Sequence, residues 1–242
     1  MLRNNRVSDI RSAFKDLKKK GHYVTDKSGV KMLEIVGASF LADEDTIFGD
    51  VNWDYVNREI QWYESQSLKV EDIPGKTPAI WEQVSSKDGR INSNYGWCIY
   101  SKDNFSQYQN VLDELTDKPN SRRAVMIYTR PSMQYDYNDN GMSDFMCTNA
   151  VQYVIRDDVL HCIVQMRSND AWAGYRNDRA WQDHVLQQLA GDLGVEKGNI
   201  YWQVGSLHLY QHQFYLLDHF IKTGENSISK EEYRKKYPGT TI

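Results

Sequence analysis

The chain has 242 residues, enough for one large domain or two small ones with a substantial core. Its 29 basic and 33 acidic residues leave a net charge of −4, and no basic block is long enough to track a nucleic-acid backbone. That points to a small substrate, and the lack of a run near the roughly 20 apolar residues of a membrane span excludes a transmembrane helix.

Three cysteines, Cys98, Cys147 and Cys162, cannot all pair and form no CxxC spacing, which fits a reducing cytoplasm. The first twenty residues are charged throughout and lack the apolar centre of a signal peptide. The 7 Trp and 16 Tyr are suited to core packing and also to stacking on heterocycles.

Ser8 is the expected cap of a first helix whose apolar face is Ile10, Ala13, Phe14 and Leu17, with Lys18, Lys19 and Lys20 at its C-terminal end and Gly21 as its stop. Residues 26–30 turn into a strand over 31–36. The stretch 54–65 has helical spacing, with Tyr55, Val56, Ile60 and Tyr63 expected inward. Residues 73–81 are punctuated by Pro74, Gly75 and Pro78. A further amphipathic helix is expected over 103–115, then Ser121, Arg122 and Arg123, and a strand over 124–128. The run from Asp136 to Gly141 imitates a calcium loop, but its twelfth position, which needs a bidentate glutamate, is Cys147.

Two β-rich runs, 151–155 and 160–166, flank the turn-like pair Asp157-Asp158. Cys147 stands at the entry of the first. At the exit of the second come Arg167, Ser168, Asn169 and Asp170, and further on Asn177 and Asp178. Pairing of the two strands is expected to bring a thiol near an arginine and carboxylates, the parts of a thiolate nucleophile beside an anion-binding group. By itself, a lone cysteine reads more simply as a small buried hydrophobe. A helix over 179–193, with Trp181, Val185, Leu186, Leu189 and Ala190 inward, ends at Gly194. A strand from 200 to 204 leads to His208 and Tyr210, which alternate onto one face. No repeat, linker or low-complexity segment appears, so a single domain over 1–242 of class α+β is expected.

Cys147 followed by Gln152 and Tyr153, together with Arg167-Ser168-x-Asp170 and Gly174, resembles the nucleophile and phosphate segments of the thymidylate synthase family. The likeness runs from about Asp26 to Tyr215. Where the synthases read uracil with an asparagine this chain has Asp178, as the bacteriophage branch that hydroxymethylates deoxycytidylate does.

The resemblance implies a mixed sheet with surrounding helices, packed by its face in a homodimer. It implies that Cys147 adds to the pyrimidine, that Glu59 of the Glu59-x-x-Trp62 motif relays protons, and that Tyr95 assists proton removal. Lys27, Arg167 and Ser168 would meet phosphate, and Arg122 and Arg123 would reach the partner subunit's nucleotide. Gln152 and Asp178 belong to the nucleotide site, His208 and Tyr210 to the sugar, and Trp81 and Asp170 to 5,10-methylenetetrahydrofolate, with no metal. Thr148 stands where the synthases commonly have histidine, and the polar end 237–242 replaces their apolar closing tail. The implied reaction is one-carbon transfer to dCMP with hydroxymethyl product. A dCMP 5-methylase and a non-catalytic structural relative in a nucleotide-supply complex are the alternatives.

Overall fold

The computed structural model describes residues 4–240. Along the chain the helices and strands are α1 (Val7–Lys20), β1 (Val24–Thr25), β2 (Lys31–Leu41), α2 (Trp53–Ser65), α3 (Ala79–Val84), α4 (Tyr95–Tyr100), α5 (Gln107–Asp117), β3 (Val125–Ile127), α6 (Met133–Asp136), β4 (Thr148–Arg156), β5 (Val159–Asp170), α7 (Ala173–Leu193), β6 (Glu196–Tyr210), α8 (Phe214–Thr223) and α9 (Lys230–Lys236). The strands lie in one sheet in the order β1-β2-β6-β5-β4-β3.

Pairings β1–β2, β2–β6, β3–β4 and β4–β5 are antiparallel. Between β5 and β6 the backbones approach closely: a Cβ on Gly198 would lie 2.7 Å from the Leu160 carbonyl, and one on Gly205 2.8 Å from that of Arg167. The separation in sequence is the same for both pairs, which marks parallel strands, and α7 is the crossover between them. The sheet is therefore mixed and the class α+β, as expected.

The chain divides into two compact units, neither contiguous in sequence. The first comprises residues up to Val51, Arg167–Ala180 and those from Ile200 on. Its core includes Phe14, Leu33, Phe40, Phe48, Tyr175, Trp202 and Leu207, with Tyr175 edge-on to Trp202 at 5.4 Å. The second comprises Asn52–Met166 and Trp181–Asn199. Its core is an aromatic chain: Trp62 stacks on Tyr63, Tyr63 on Tyr95, and Tyr63 also meets Trp181 edge-on at 5.0 Å. Trp181, Val185, Leu186, Leu189 and Ala190 are buried, as the helical spacing requires.

Several local expectations are corrected. Ser8 lies inside α1. Asp9 accepts the Arg6 N–H at 2.8 Å and Asp43 the Val7 N–H at 3.1 Å, so carboxylates close the helix start instead of the serine. On α2 the buried residues are Val56, Glu59, Trp62 and Tyr63, while Tyr55 and Ile60 are half-buried, because tertiary partners turn the helix. Helix α5 begins at Gln107 after a turn in which Phe105 and Ser106 both have positive φ. Strands β5 and β6 run on through Asp170 and Tyr210, and α7 begins at Ala173, so Asp178 is helical. The turn at Asp157 and Asp158, with φ of 53° and 60°, is the tight hairpin expected. Thr241 and Ile242, the last residues of the polar tail, lie outside the described residues. Among the described residues no helix is long and apolar enough to cross a membrane.

Candidate active site

In the second unit the expected site residues Glu59 and Tyr95 lie on α2 and α4. Asn52 caps α2, its side chain accepting the Tyr55 N–H at 3.2 Å. Asn94, fully buried, caps α4 by accepting the Trp97 N–H at 2.7 Å. Its amide also donates to the carbonyls of Trp62 at 2.9 Å and Ser67 at 2.8 Å, tying α4 to the end of α2. The helices meet so closely that a Cβ on Gly96 would sit 1.8 Å from the Tyr63 carbonyl oxygen, leaving room for glycine alone. This contact seats Tyr95, buried between Tyr63 and Tyr128 with ring centroids 5.2 Å from each.

Glu59 is 6% exposed. Burial removes water from its carboxylate and pushes its pKa from the ordinary 4.5 to about 7, while hydrogen bonds from Tyr55 and Trp81 pull the other way. Tyr55 donates to Glu59 Oε1. The Trp81 indole N–H donates to the Tyr55 oxygen at 2.9 Å, and its ring meets Trp62 edge-on at 5.2 Å. A carboxyl poised near neutrality is able to take up and release protons in one cycle.

Cys147 is half-buried immediately before β4, its Sγ 3.9 Å from the Phe145 carbonyl. The approach to it is anchored by Asp144, whose buried carboxylate accepts the N–H groups of Asn92 and Ser93 at 2.7 and 2.8 Å and the Ser93 hydroxyl at 2.6 Å. Next to the cysteine, the Thr148 hydroxyl is wholly buried and has no hydrogen-bond partner. The other two thiols are packing groups: Cys162 is fully buried, and burial pushes the Cys98 pKa up to about 12. Arg122 and Arg123 are exposed before β3. Arg123 pairs with Glu114 at 3.0 Å, and the Gln152 amide donates to the Arg122 carbonyl at 2.9 Å.

In the first unit, the end of β5 and the start of α7 carry the polar cluster. Asp170 accepts the N–H groups of Trp172 at 2.9 Å and Ala173 at 3.3 Å, capping α7. Its pKa is raised, chiefly by burial, against those hydrogen bonds and the charges of His208 and His212. The buried Asn169 donates its amide to Asp178 Oδ2 at 2.7 Å and accepts the Trp202 indole N–H at 3.3 Å. Gly174 lies beside this pair, where a Cβ would stand 3.0 Å from the Asn169 amide nitrogen. Arg167 is exposed and Ser168 half-buried on the same strand.

On β6, His208 is buried, its Nδ1 3.3 Å from the Ser206 carbonyl, and its ring meets Tyr210 edge-on at 4.9 Å. Lys27 sits exposed in a turn closed by Asp26, which accepts the N–H groups of Ser28 and Val30.

Within the units, then, Glu59 and Trp81 are joined through Tyr55, Gln152 is joined to Arg122, and Asp170 and Asp178 flank the start of one helix. Two residues to which the sequence reading gave no site role are hydrogen-bonded to expected ones. Tyr55 stands four residues before Glu59, a spacing that puts both on one helix face, and Asn169 lies inside the polar cluster.

A family model described as thymidylate synthase matches residues 11–236. The chain is 56% identical to the deoxycytidylate 5-hydroxymethyltransferase of Enterobacteria phage T4 over 238 residues, 96% of this chain and 97% of that protein. To the protein of the same name in Enterobacteria phage T6 it is 55% identical with the same coverage. To a thymidylate synthase of Clostridium beijerinckii it is 22% identical over 204 residues, 82% of this chain and 74% of the relative. The mixed sheet, the cysteine at the head of β4 and a family match over almost the whole chain lead to one statement: this chain belongs to the thymidylate synthase family.

Proposed function

We propose that the chain transfers a one-carbon unit from 5,10-methylenetetrahydrofolate to C5 of dCMP and completes the reaction with water, giving 5-hydroxymethyl-dCMP and tetrahydrofolate. The observation that carries this reading is the 56% identity, across nearly the full length of both chains, to a deoxycytidylate 5-hydroxymethyltransferase.

Pyrimidine C5 is a poor nucleophile until a group adds at C6. The Cys147 thiolate adds there, and the electrons released make C5 attack the methylene carbon of the folate. Removal of the C5 proton, assisted by Tyr95, and departure of tetrahydrofolate leave an exocyclic methylene on the pyrimidine. Water then adds to that carbon and the thiolate leaves C6. Glu59 moves protons through water at these steps, for which a buried carboxyl with a pKa near neutrality is suited.

Asp178, held by Asn169, takes the cytosine N4 amino group and a protonated N3 as two donors. Lys27, Arg167 and Ser168 take the phosphate, His208 and Tyr210 the sugar, and Gln152 completes the nucleotide contacts. Trp81 and Asp170 hold the folate.

The working form is a homodimer in which Arg122 and Arg123 of one protomer bind the nucleotide phosphate of the other. Both arginines are exposed, as reaching a second protomer requires. The compartment is the cytoplasm of the infected host. Incubation with dCMP and methylenetetrahydrofolate, followed by the nucleotide mass and the absorbance of dihydrofolate, tests the reaction. A hydroxymethyl product without dihydrofolate is expected; methylated nucleotide with matching dihydrofolate would make the protein a dCMP 5-methylase.

A further inference from the structure

Glu59 is not held by the fold of α2 alone. Tyr55 precedes it by one helical turn and donates its single hydroxyl proton to Glu59 Oε1. The same hydroxyl oxygen accepts the indole N–H of Trp81 at 2.9 Å, so the phenol is gripped on both sides. Trp81 is itself set edge-on against the buried Trp62, which donates its own indole N–H to the Lys69 carbonyl at 3.1 Å. The three side chains thus form a directed line, from indole to phenol to carboxyl, with its far end packed in the core.

We propose that Tyr55 is a positioning residue of the reaction: it aims one Glu59 oxygen and holds the carboxyl in the ionised form that accepts protons, while Trp81 fixes the phenol. The proposal rests on the reading of Glu59 as the proton-relay group. The direction of donation follows from the environment. Burial, and next the neighbouring Glu59 charge, raise the Tyr55 pKa, so the phenol keeps its proton and acts as a donor. At Glu59 burial favours the neutral acid, and the hydrogen bonds from Tyr55 and Trp81 oppose it.

The surrounding groups leave few rivals for this role. On α2 the Arg58 guanidinium lies 5.5 Å from the Tyr55 ring, but it pairs with Asp54 at 3.1 Å and donates to the carbonyls of Pro74 and Lys76. From α4 the ring of Tyr95 stacks on Tyr63. Within their unit, Tyr55 and Trp81 are the side chains whose hydrogen bonds act on the Glu59 carboxyl.

The test uses Tyr55→Phe in the full chain, which removes one oxygen and keeps the ring. Two quantities are read: the pH profile of kcat/KM with dCMP, and the Glu59 titration midpoint by carbon NMR of labelled glutamate, assigned with Glu59→Gln. Loss of a hydrogen bond to a charged acceptor should raise both the acidic limb and the midpoint by about one pH unit. At pH 7 kcat should fall about tenfold, with KM for dCMP within about twofold.

A folded Tyr55→Phe in which neither limb nor midpoint moves overturns the proposal, whatever happens to kcat, because a purely packing role predicts that outcome. Should this variant not fold, Trp81→Phe removes the indole donor and is read the same way: an upward shift supports the relay and an unmoved midpoint overturns it. If the unmodified protein fails to convert dCMP, the reaction assigned above is wrong, while the NMR midpoint still decides whether Tyr55 holds Glu59.

Discussion

Asn169 donates its side-chain amide to Asp178 Oδ2 across 2.7 Å, and is itself fixed by the Trp202 indole. One oxygen of Asp178 therefore accepts from the protein, and that bond helps set the orientation of the carboxylate to which base reading is assigned in the proposed function. An ionised carboxylate accepts from cytosine N4 and a protonated N3, whereas the O4 of uracil would face it repulsively. Asp178→Asn should therefore shift preference toward deoxyuridylate by about two powers of ten. The ratio of kcat/KM for the two nucleotides measures it; an unchanged ratio would assign base reading to another group.

Cys147→Ser should bind dCMP and show no measurable turnover, because a hydroxyl offers almost no anion at neutral pH for addition at C6. Cys98→Ala and Cys162→Ala should keep their activity and lose stability, since both thiols are buried. Cavities of this size cost about 1–2 kcal/mol, visible as a lower Tm. Turnover that survives Cys147→Ser and vanishes in Cys162→Ala would identify the wrong sulfur as nucleophile.

The exposed arginine pair makes a prediction about assembly. Arg122→Ala with Arg123→Ala should be inactive, and so should Cys147→Ser. Mixed and allowed to exchange, the two should regain activity, because a heterodimer assembles one complete set of groups. Exchange verified by mass spectrometry with no recovered activity would place each reaction within a single chain. Since the exposed Arg123 pairs with the half-buried Glu114, the double variant should lose no more than about 1 kcal/mol of stability relative to the parent.

Glu59 links stability and rate to pH. Its pKa in the folded chain is raised to about 7 from an ordinary 4.5, so between these values the folded state binds more protons than the unfolded state. Its contribution to stability therefore falls as pH climbs from about 4.5 to about 7, by on the order of 3 kcal/mol, and is flat outside that window. Glu59→Gln should remove this slope, so the variant gains on the parent at pH 8 and loses the advantage near pH 4. Its turnover should fall about a hundredfold or more. Urea unfolding at a series of pH values, set beside the rate profile, separates the two effects.

The central hairpin was legible in the sequence because its signal is local. Alternating apolar residues in 151–155 and 160–166 and two turn-forming aspartates dictate a pleat and a tight reversal, whatever surrounds them. The inward face of α7 was readable for the same reason: Trp181, Val185, Leu186 and Leu189 recur at the helical period. Cys147, Glu59, Arg167 and Asp178 were singled out through the resemblance to the thymidylate synthase family, and local spacing alone gave them no role.

Other features required contacts between distant parts of the chain. The cap of α1 comes from Asp9 together with Asp43, far along the sequence, which no local rule weighs against Ser8. The packing of α2 on α4, through Asn94 and the Gly96 contact with Tyr63, and of Trp81 on Trp62 fixes the helix with Glu59 buried and Ile60 half-buried. The Glu59 pKa near 7 is a property of that burial and of Tyr55 and Trp81, neither of which has such an effect in an isolated helix. Residue types and periods settle which groups are available and which elements form. Desolvation and hydrogen bonds between segments far apart in sequence settle their charge and orientation, and these exist only in the folded chain.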